Sequence, residues 1–193
     1  MAGQAAGKER CIAIGLERNG KRFLWAVRTP PSKDKSGQFL PPPEPDMEAI
    51  LPKGFLERTK DRGFVVKSWA PQVEVLNHGS VGGFVTHCGW NSVLEAVCAG
   101  VPMVAWRLYA EQRLNRLYLV EGLEMALPLK EGVGRFVAAE EVEKRVGGMM
   151  DGEKGRVIRE RIQGMKEAAR LAMAAEGGGS SLVELDRLVD SWN

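Results

Sequence analysis

The chain has 193 residues, of which 44% are hydrophobic and 27% charged, close to the composition of an ordinary globular protein. Its 27 Lys and Arg residues nearly balance 25 Asp and Glu residues and leave a formal net charge of +2, so charge gives no reason to expect nucleic acid or a membrane surface as a partner. This composition excludes collagen, a wholly disordered chain and a disulfide-stabilised miniprotein.

The cysteines and the apolar segments indicate the cellular compartment. Cys11, Cys88 and Cys98 have no C-x-x-C spacing, which favours reduced thiols over a disulfide framework or a zinc site. We expect Cys88 and Cys98 to be inert packing residues. No apolar stretch approaches the ~20 residues of a membrane span, and the N-terminus lacks a secretory signal pattern. The sequence therefore predicts a cytoplasmic protein with no membrane span and no metal.

Strand and helix patterns alternate along much of the chain. Residues 1–8 are small and polar and are expected to be a disordered start, and residues 29–50 a long surface loop rich in proline and lysine. Short apolar runs predict buried strands, and apolar residues at helical spacing predict helices. The predicted strands span residues 23–27, 64–69, 83–87, 102–106 and 125–129. The predicted helices span residues 9–17, 72–76, 91–99, 110–120, 138–149, 153–175 and 181–192, with helical turns at 46–51 and 54–58 and a hinge at 177–180.

This alternation predicts an α/β fold with a doubly wound, Rossmann-like parallel sheet in a single domain over residues 1–193. Such a sheet normally opens with a strand, and residues 1–8 have no strand pattern, so the first strand is expected to be absent. In the strand order 3-2-1-4-5-6 that strand is central. Unless the strands at 23–27 and 83–87 pair directly, each would have an unpaired edge that favours association with another chain.

One strand-to-helix turn carries the candidate chemistry. An apolar strand ends at His87, and a helix is expected to begin near Asn91 or Ser92. Such a turn directs backbone N–H groups and the positive end of the helix dipole to the edge of the sheet, where phosphate is the natural ligand. Gly89 permits close approach, and Glu95, one helical turn further on, suits a ribose diol. The group predicts a site for a nucleoside diphosphate.

Each of these residues also has a purely structural interpretation. Ser92 and Glu95 fit a capping box that serves only the helix N-terminus. His87 could be a hydrogen-bonded core histidine, Trp69 a core aromatic residue, and residues 111–112 a solvated helix start. Taken one at a time, these positions leave both interpretations open.

The whole segment is more specific than its parts. Residues 69–112 read WAPQVEVLNHGSVGGFVTHCGWNSVLEAVCAGVPMVAWRLYAEQ. This segment resembles, almost position by position, the signature box of plant secondary-product UDP-glycosyltransferases, an inverting family that glycosylates small lipophilic acceptors. The flanking sequences FLWAVR at 23–28 and LPKGFLERTKDRGFVVKSW at 51–69 are similar as well. The resemblance covers nearly the whole chain but only the C-terminal, donor-binding half of a GT-B enzyme, and flavonoid and phenolic glucosyltransferases are the most similar members.

The resemblance implies how the uridine would be held. Trp69 would stack on the uracil ring, and stacking of this kind contributes about 1–3 kcal/mol per base. Gln72, with Ala70 beside it, would hydrogen-bond the edge of the uracil. Glu95 would accept hydrogen bonds from the ribose hydroxyls.

The resemblance also implies a pyrophosphate subsite. His87 would donate to a pyrophosphate oxygen. Asn91 and Ser92 would hold the phosphates at the helix N-terminus, and Gly89 would give access to the backbone.

The remaining matches concern the sugar. Trp90, Glu111 and Gln112 would contact it, and Gln112 at the end of the box favours glucose. A cationic residue at position 90 would suit the carboxylate of glucuronic acid, and Trp90 carries no charge, so this residue weighs against a glucuronic-acid donor. The resemblance thus implies transfer of glucose from UDP-glucose to a phenolic or flavonoid hydroxyl, with inversion and without a cofactor. Arg107 departs from the family, which usually has proline there, so the sugar-side loop is expected to be looser.

No catalytic residue is expected in this chain. In the family the catalytic histidine and its supporting aspartate belong to the N-terminal domain, which also forms most of the acceptor pocket. The sequence has only two histidines, His78 and His87. The alternative function is therefore a truncated UDP-sugar-binding module, or pseudoenzyme, with no transfer activity on its own.

Overall fold

The computed structural model describes residues 2–29, 43–107, 111–132, 136–174, 176 and 178–192. The strands are β1 Phe23–Val27, β2 Gly63–Lys67, β3 Phe84–Thr86, β4 Met103–Ala105 and β5 Ala126–Pro128. The helices are α1 Ala2–Asn19, α2 Met47–Ile50, α3 Phe55–Thr59, α4 Gln72–Leu76, α5 Trp90–Ala99, α6 Gln112–Leu117, α7 Ala139–Asp151, α8 Glu153–Ala172 and α9 Ser180–Asp190. Helix α6 continues into a π-helical turn, Tyr118–Gly122. No described helix combines the length and the apolar composition needed to cross a bilayer.

All observed strand pairs are parallel. β1 pairs with β2 in one sheet, and β3, β4 and β5 follow one another in a second sheet. This confirms the α/β fold with parallel strands. Within the part of the chain that the structure describes, β1 and β3 do not pair, so the direct pairing considered for these strands does not occur.

The chain divides into two compact units. Unit 1 contains Met1–Gln72 and Leu129–Gly147, and unit 2 contains Val73–Pro128 and Gly148–Asn193. The single domain expected from the sequence stays a prediction. The β1–β2 sheet belongs to unit 1 and the β3–β4–β5 sheet to unit 2.

The core of unit 1 is aromatic. Phe55 of α3 is almost fully buried, stacks on Phe23 with ring centroids 6.0 Å apart and meets Trp25 edge-on at 6.4 Å. Arg62 donates to the backbone oxygens of Leu16 at 3.3 Å and Glu17 at 2.7 Å. Because these carbonyls lie in the last turn of α1, the arginine satisfies acceptors that the helix leaves without intrahelical donors.

The N-terminal half of unit 1 corrects one expectation and confirms another. Residues 2–8 form the first turns of α1, not a disordered start, in keeping with the high helix propensity of their alanines. The helical turn predicted at 46–51, at the end of the expected loop, is helix α2, Met47–Ile50, because the Asp46 carboxylate accepts from the backbone N–H groups of Glu48 and Ala49. Residues 30–42 of that loop lie outside the described residues.

The core of unit 2 places α5 and α8 against each other. Val93 of α5, Met103 of β4 and Ile162 of α8 are at most 1% exposed, and full burial of such a side chain contributes about 1.5–3 kcal/mol. Helix α5 ends at Gly100, whose φ of 72° suits a glycine C-cap. Gln163 of α8 donates to the Gly100 carbonyl at 2.9 Å, which anchors the end of α5.

Candidate functional site

In unit 2 the candidate residues gather at the carboxyl edge of the β3–β4–β5 sheet. His87 follows β3 directly, and Glu111 precedes α6 on the chain beyond β4. Because β3 and β4 are parallel, the helices that follow them begin at the same edge of the sheet. Trp90, the first residue of α5, packs its ring against Tyr118 at the end of α6, with centroids 6.3 Å apart. The start of α5 therefore lies beside the end of α6.

The turn between β3 and α5 is held in an unusual backbone conformation. Cys88 has a φ of 66°, in the left-handed region that costs a residue other than glycine about 1–2 kcal/mol. Its backbone N–H donates to the Thr86 hydroxyl at 3.2 Å, and its thiol lies 3.7 Å from the Thr86 carbonyl oxygen. Thr86 and Cys88 are both buried, so these contacts hold the turn where water does not compete.

The N-terminus of α5 decides against the capping box. The N-cap is Gly89, with no side-chain hydrogen bond to the helix, and Trp90 is the first helical residue. Ser92 is therefore the third residue of the helix, 9% exposed, and not its cap. A helix N-terminus that its cap side chain does not close suits an anionic group. Asn91, in the same first turn, is exposed.

His87 lies over Gly89. The side chain is exposed, so the interpretation as a core histidine is wrong. A Cβ atom added at Gly89 would lie 2.3 Å from Nε2 of His87. Glycine is thus the one residue that leaves room for the imidazole in this position.

Trp69 follows β2 in unit 1 and is 68% exposed, so the interpretation as a core aromatic residue is wrong. The strand ends at Lys67 because Ser68 adopts a φ of 63°. The Ser68 backbone donates to the Val27 carbonyl at 2.7 Å, and Arg28 Nε donates to the Ser68 carbonyl at 3.0 Å. The ends of β1 and β2 thereby fix the backbone from which the indole projects.

The remaining candidates differ in burial. Ala70 and Gln72, which begins α4, are half-buried, as is Glu95 in the second turn of α5. Glu111 is exposed, as a solvated helix start would be, whereas Gln112 is only 3% exposed. The ligand contacts of all these residues stay predictions.

Two expectations concern residues beside the site. Arg107 is half-buried, and the segment 108–110 of the sugar-side loop lies outside the described residues. Cys98 is exposed, so the expectation that it packs in the interior is wrong. Cys88 is buried, and burial raises the pKa of its thiol to about 11, which keeps it protonated and inert at neutral pH.

The chain is similar to known proteins along most of its length. Residues 1–127 match the family described as UDP-glucoronosyl and UDP-glucosyl transferase. Anthocyanidin 5,3-O-glucosyltransferase of a Rosa hybrid cultivar is 58% identical over 181 residues, which cover 94% of this chain and 37% of that protein. Phloretin 2'-O-glucosyltransferase of Malus domestica is 54% identical over 182 residues, with coverage of 93% and 38%.

Solved structures give the same result. Apo UGT2 of Phytolacca americana matches with a TM-score of 0.85 and 42% identity, over 97% of this chain and 40% of that one. Medicago truncatula UGT71G1 complexed with UDP-glucose matches with a TM-score of 0.77 and 40% identity, over 96% and 37%. The chain thus spans 37–40% of the length of these relatives. These neighbours confirm the GT-B fold class, and with the family match they show that the chain belongs to the UDP-glycosyltransferase family.

Proposed function

We propose that this chain is the donor-binding part of a UDP-glucose-dependent glucosyltransferase that transfers glucose, with inversion, to a hydroxyl of a phenolic or flavonoid acceptor. The observation that carries the proposal is the turn of residues 87–89 at the N-terminus of α5. An exposed histidine, a glycine cap and the positive end of a helix meet there. Pyrophosphate is the part of a nucleotide sugar that such a group binds best.

The roles of the individual residues in donor binding follow the family resemblance. Trp69, which is exposed, stacks on the uracil, and Gln72 binds its edge. His87 and the first turn of α5 bind the pyrophosphate, with Glu95 on the ribose. Gln112 takes the sugar.

The names of the relatives support the choice of sugar and acceptor. The rose and apple proteins are named as glucosyltransferases of anthocyanidin and phloretin, and a Glycine max relative, 53% identical, as isoflavone 7-O-glucosyltransferase 1. The Medicago structure holds UDP-glucose, and a Phytolacca americana UGT2 structure holds UDP-2fluoro-glucose and pterostilbene. On these grounds glucose is the sugar and a flavonoid-type phenol the acceptor.

The transfer reaction requires stabilisation of charge on the departing UDP and a base for the acceptor hydroxyl. Departure of UDP leaves negative charge on the pyrophosphate, and preorganised N–H and imidazole donors stabilise that charge without a metal. Deprotonation of the acceptor hydroxyl needs a base within about 2.6–3.2 Å of it. His78 is a poor candidate because its Nδ1 accepts the Ser80 backbone N–H at 3.3 Å. This observation favours the second candidate function, a donor-binding module without turnover when the chain is alone.

Calorimetric titration with UDP and UDP-glucose tests the proposal. The chain should bind both, and His87→Ala should weaken binding whereas the matched control His78→Ala should not. Absence of binding at millimolar ligand would refute donor binding. In a parallel assay with UDP-glucose and a flavonoid, we expect no glucoside from the chain alone, and product formation would refute the module interpretation. The cytoplasmic location and association through strand edges stay predictions.

A further inference from the structure

One side chain of α6 reaches the turn between β3 and α5. Asn115 Nδ2 donates to the backbone carbonyl of Cys88 at 2.9 Å, a partly buried bond between residues 27 positions apart. Both residues belong to unit 2. Asn115 lies beyond the segment 69–112 that carries the family resemblance, so the motif does not single it out.

This bond differs from the other contacts of the turn. The Cys88 backbone N–H and thiol both contact Thr86, only two residues earlier in the chain. Local contacts of this kind stabilise the bend but do not orient it relative to a second helix. Asn115 supplies that orientation from α6. It contacts Cys88, whose φ of 66° is a strained backbone conformation for a residue other than glycine.

The geometry of the peptide bond shows what the contact orients. A trans peptide is planar, with its N–H pointing opposite to its C=O. Because Asn115 holds the Cys88 oxygen towards α6, the N–H of Gly89 is held pointing away from Asn115. Without that donor the peptide between Cys88 and Gly89 is freer to rotate, and a carbonyl oxygen in place of the N–H would repel a phosphate.

We infer that Asn115 is a positioning residue for donor binding: it fixes the peptide between Cys88 and Gly89 so that the Gly89 N–H faces the pyrophosphate. The inference rests on the proposed function of the turn. Gln112 stands one helical turn before Asn115 on the same face of α6. The contact therefore also ties the pyrophosphate turn to the helix that begins with the candidate sugar residue.

Asn115→Asp is the sharpest test because it keeps the shape of the side chain and removes its donor. The matched control is Asn19→Asp. Asn19 Nδ2 makes the same kind of bond, to the backbone oxygen of Glu143 at 2.9 Å, but in unit 1. The whole 193-residue chain and both variants are titrated with UDP and with uridine, and their thermal unfolding is measured.

We expect Asn115→Asp to weaken UDP binding about tenfold or more, as loss of a hydrogen bond to a charged group does, and to leave uridine binding within twofold. Asn19→Asp should leave both affinities unchanged. Asn115→Ala, which introduces no charge, is titrated in the same way. A selective loss for UDP in both Asn115 variants is the result that neither a merely structural role nor the added charge of the aspartate would produce.

Two failures are distinguishable. If the unaltered chain does not bind UDP, the proposed function fails and the inference with it. If the unaltered chain binds UDP but the Asn115 variant binds it equally well, or loses UDP and uridine in equal proportion, the positioning role is refuted and donor binding stands.

Discussion

Replacing Gly89 with alanine should displace the His87 imidazole and weaken UDP binding while the chain still folds. The backbone at Gly89, with φ −64° and ψ 137°, accepts any L residue, so the methyl group adds no backbone strain. Its Cβ would lie 2.3 Å from Nε2 of His87 and 3.1 Å and 3.2 Å from Cε1 and Cδ2. Side-chain atoms do not tolerate the shortest of these contacts, so the imidazole must rotate away from the turn.

The substitution affects both the stability of the fold and the binding of UDP. His87 is exposed and can leave its place at a cost of about 0.5–1.5 kcal/mol. Loss of the glycine N-cap adds up to about 1 kcal/mol. Together they lower the melting temperature by several degrees, at about 2–4 °C per kcal/mol for a chain of this size. Loss of a hydrogen bond to a charged phosphate costs about 1.5–3 kcal/mol of binding, which weakens UDP about tenfold to a hundredfold.

The assay is calorimetric titration of UDP into Gly89→Ala, His87→Ala and the double variant, with Gly79→Ala as the control. A Cβ at Gly79 meets nothing within 4 Å, so this control should bind normally. Because the alanine at position 89 acts through His87, the double variant should bind no worse than His87→Ala. Normal UDP binding by Gly89→Ala, or additive losses in the double variant, would refute the reasoning.

Three further results are expected. UDP should quench tryptophan fluorescence in the unaltered chain but not in Trp69→Ala, since the exposed indole stacks on uracil; an equal quench would contradict the stacking. Between pH 9 and 11 the free energy of unfolding should fall by up to about 2–3 kcal/mol, because burial raises the pKa of Cys88 from 9.0 to about 11 and the unfolded chain loses that proton first. Urea unfolding at several pH values should show a smaller fall in the free energy of unfolding for Cys88→Ala. An equal fall in this variant would mean that another group causes the pH dependence. Burial raises the pKa of Glu141, but hydrogen bonds from Arg145 and the Lys130 backbone outweigh it and lower that pKa below 4.5. The mostly buried pair of Glu141 and Arg145 therefore stabilises the fold above pH 4.5, and this stabilisation is lost on acidification. In urea unfolding, Arg145→Ala should lower the free energy of unfolding by about 1–3 kcal/mol at pH 7 and by much less at pH 3. An equal loss at both pH values would contradict this role of the pair.

The sequence by itself determined the elements and the family. Apolar runs between turn residues located each of the five described strands to within about two residues at either end, because the alternation of apolar and polar residues is a local property. The resemblance over residues 69–112 identified the family that the comparisons confirm. The strand patterns also placed His87 and Trp69 at the last positions of their predicted strands, at the edge where parallel sheets bind ligands, and in the structure these residues follow β3 and β2.

Only the tertiary structure decided which side chains are exposed and how the turn is held. Taken one at a time, the residues left a buried Trp69 and a capping Ser92 open. In the structure the indole projects beyond a left-handed Ser68, and the cap of α5 is Gly89. The burial of Gln112 depends on how α6 packs, and the bond from Asn115 to Cys88 joins residues 27 positions apart. Such features depend on contacts between distant elements, which no short window of sequence contains, whereas strand and helix patterns lie within such windows.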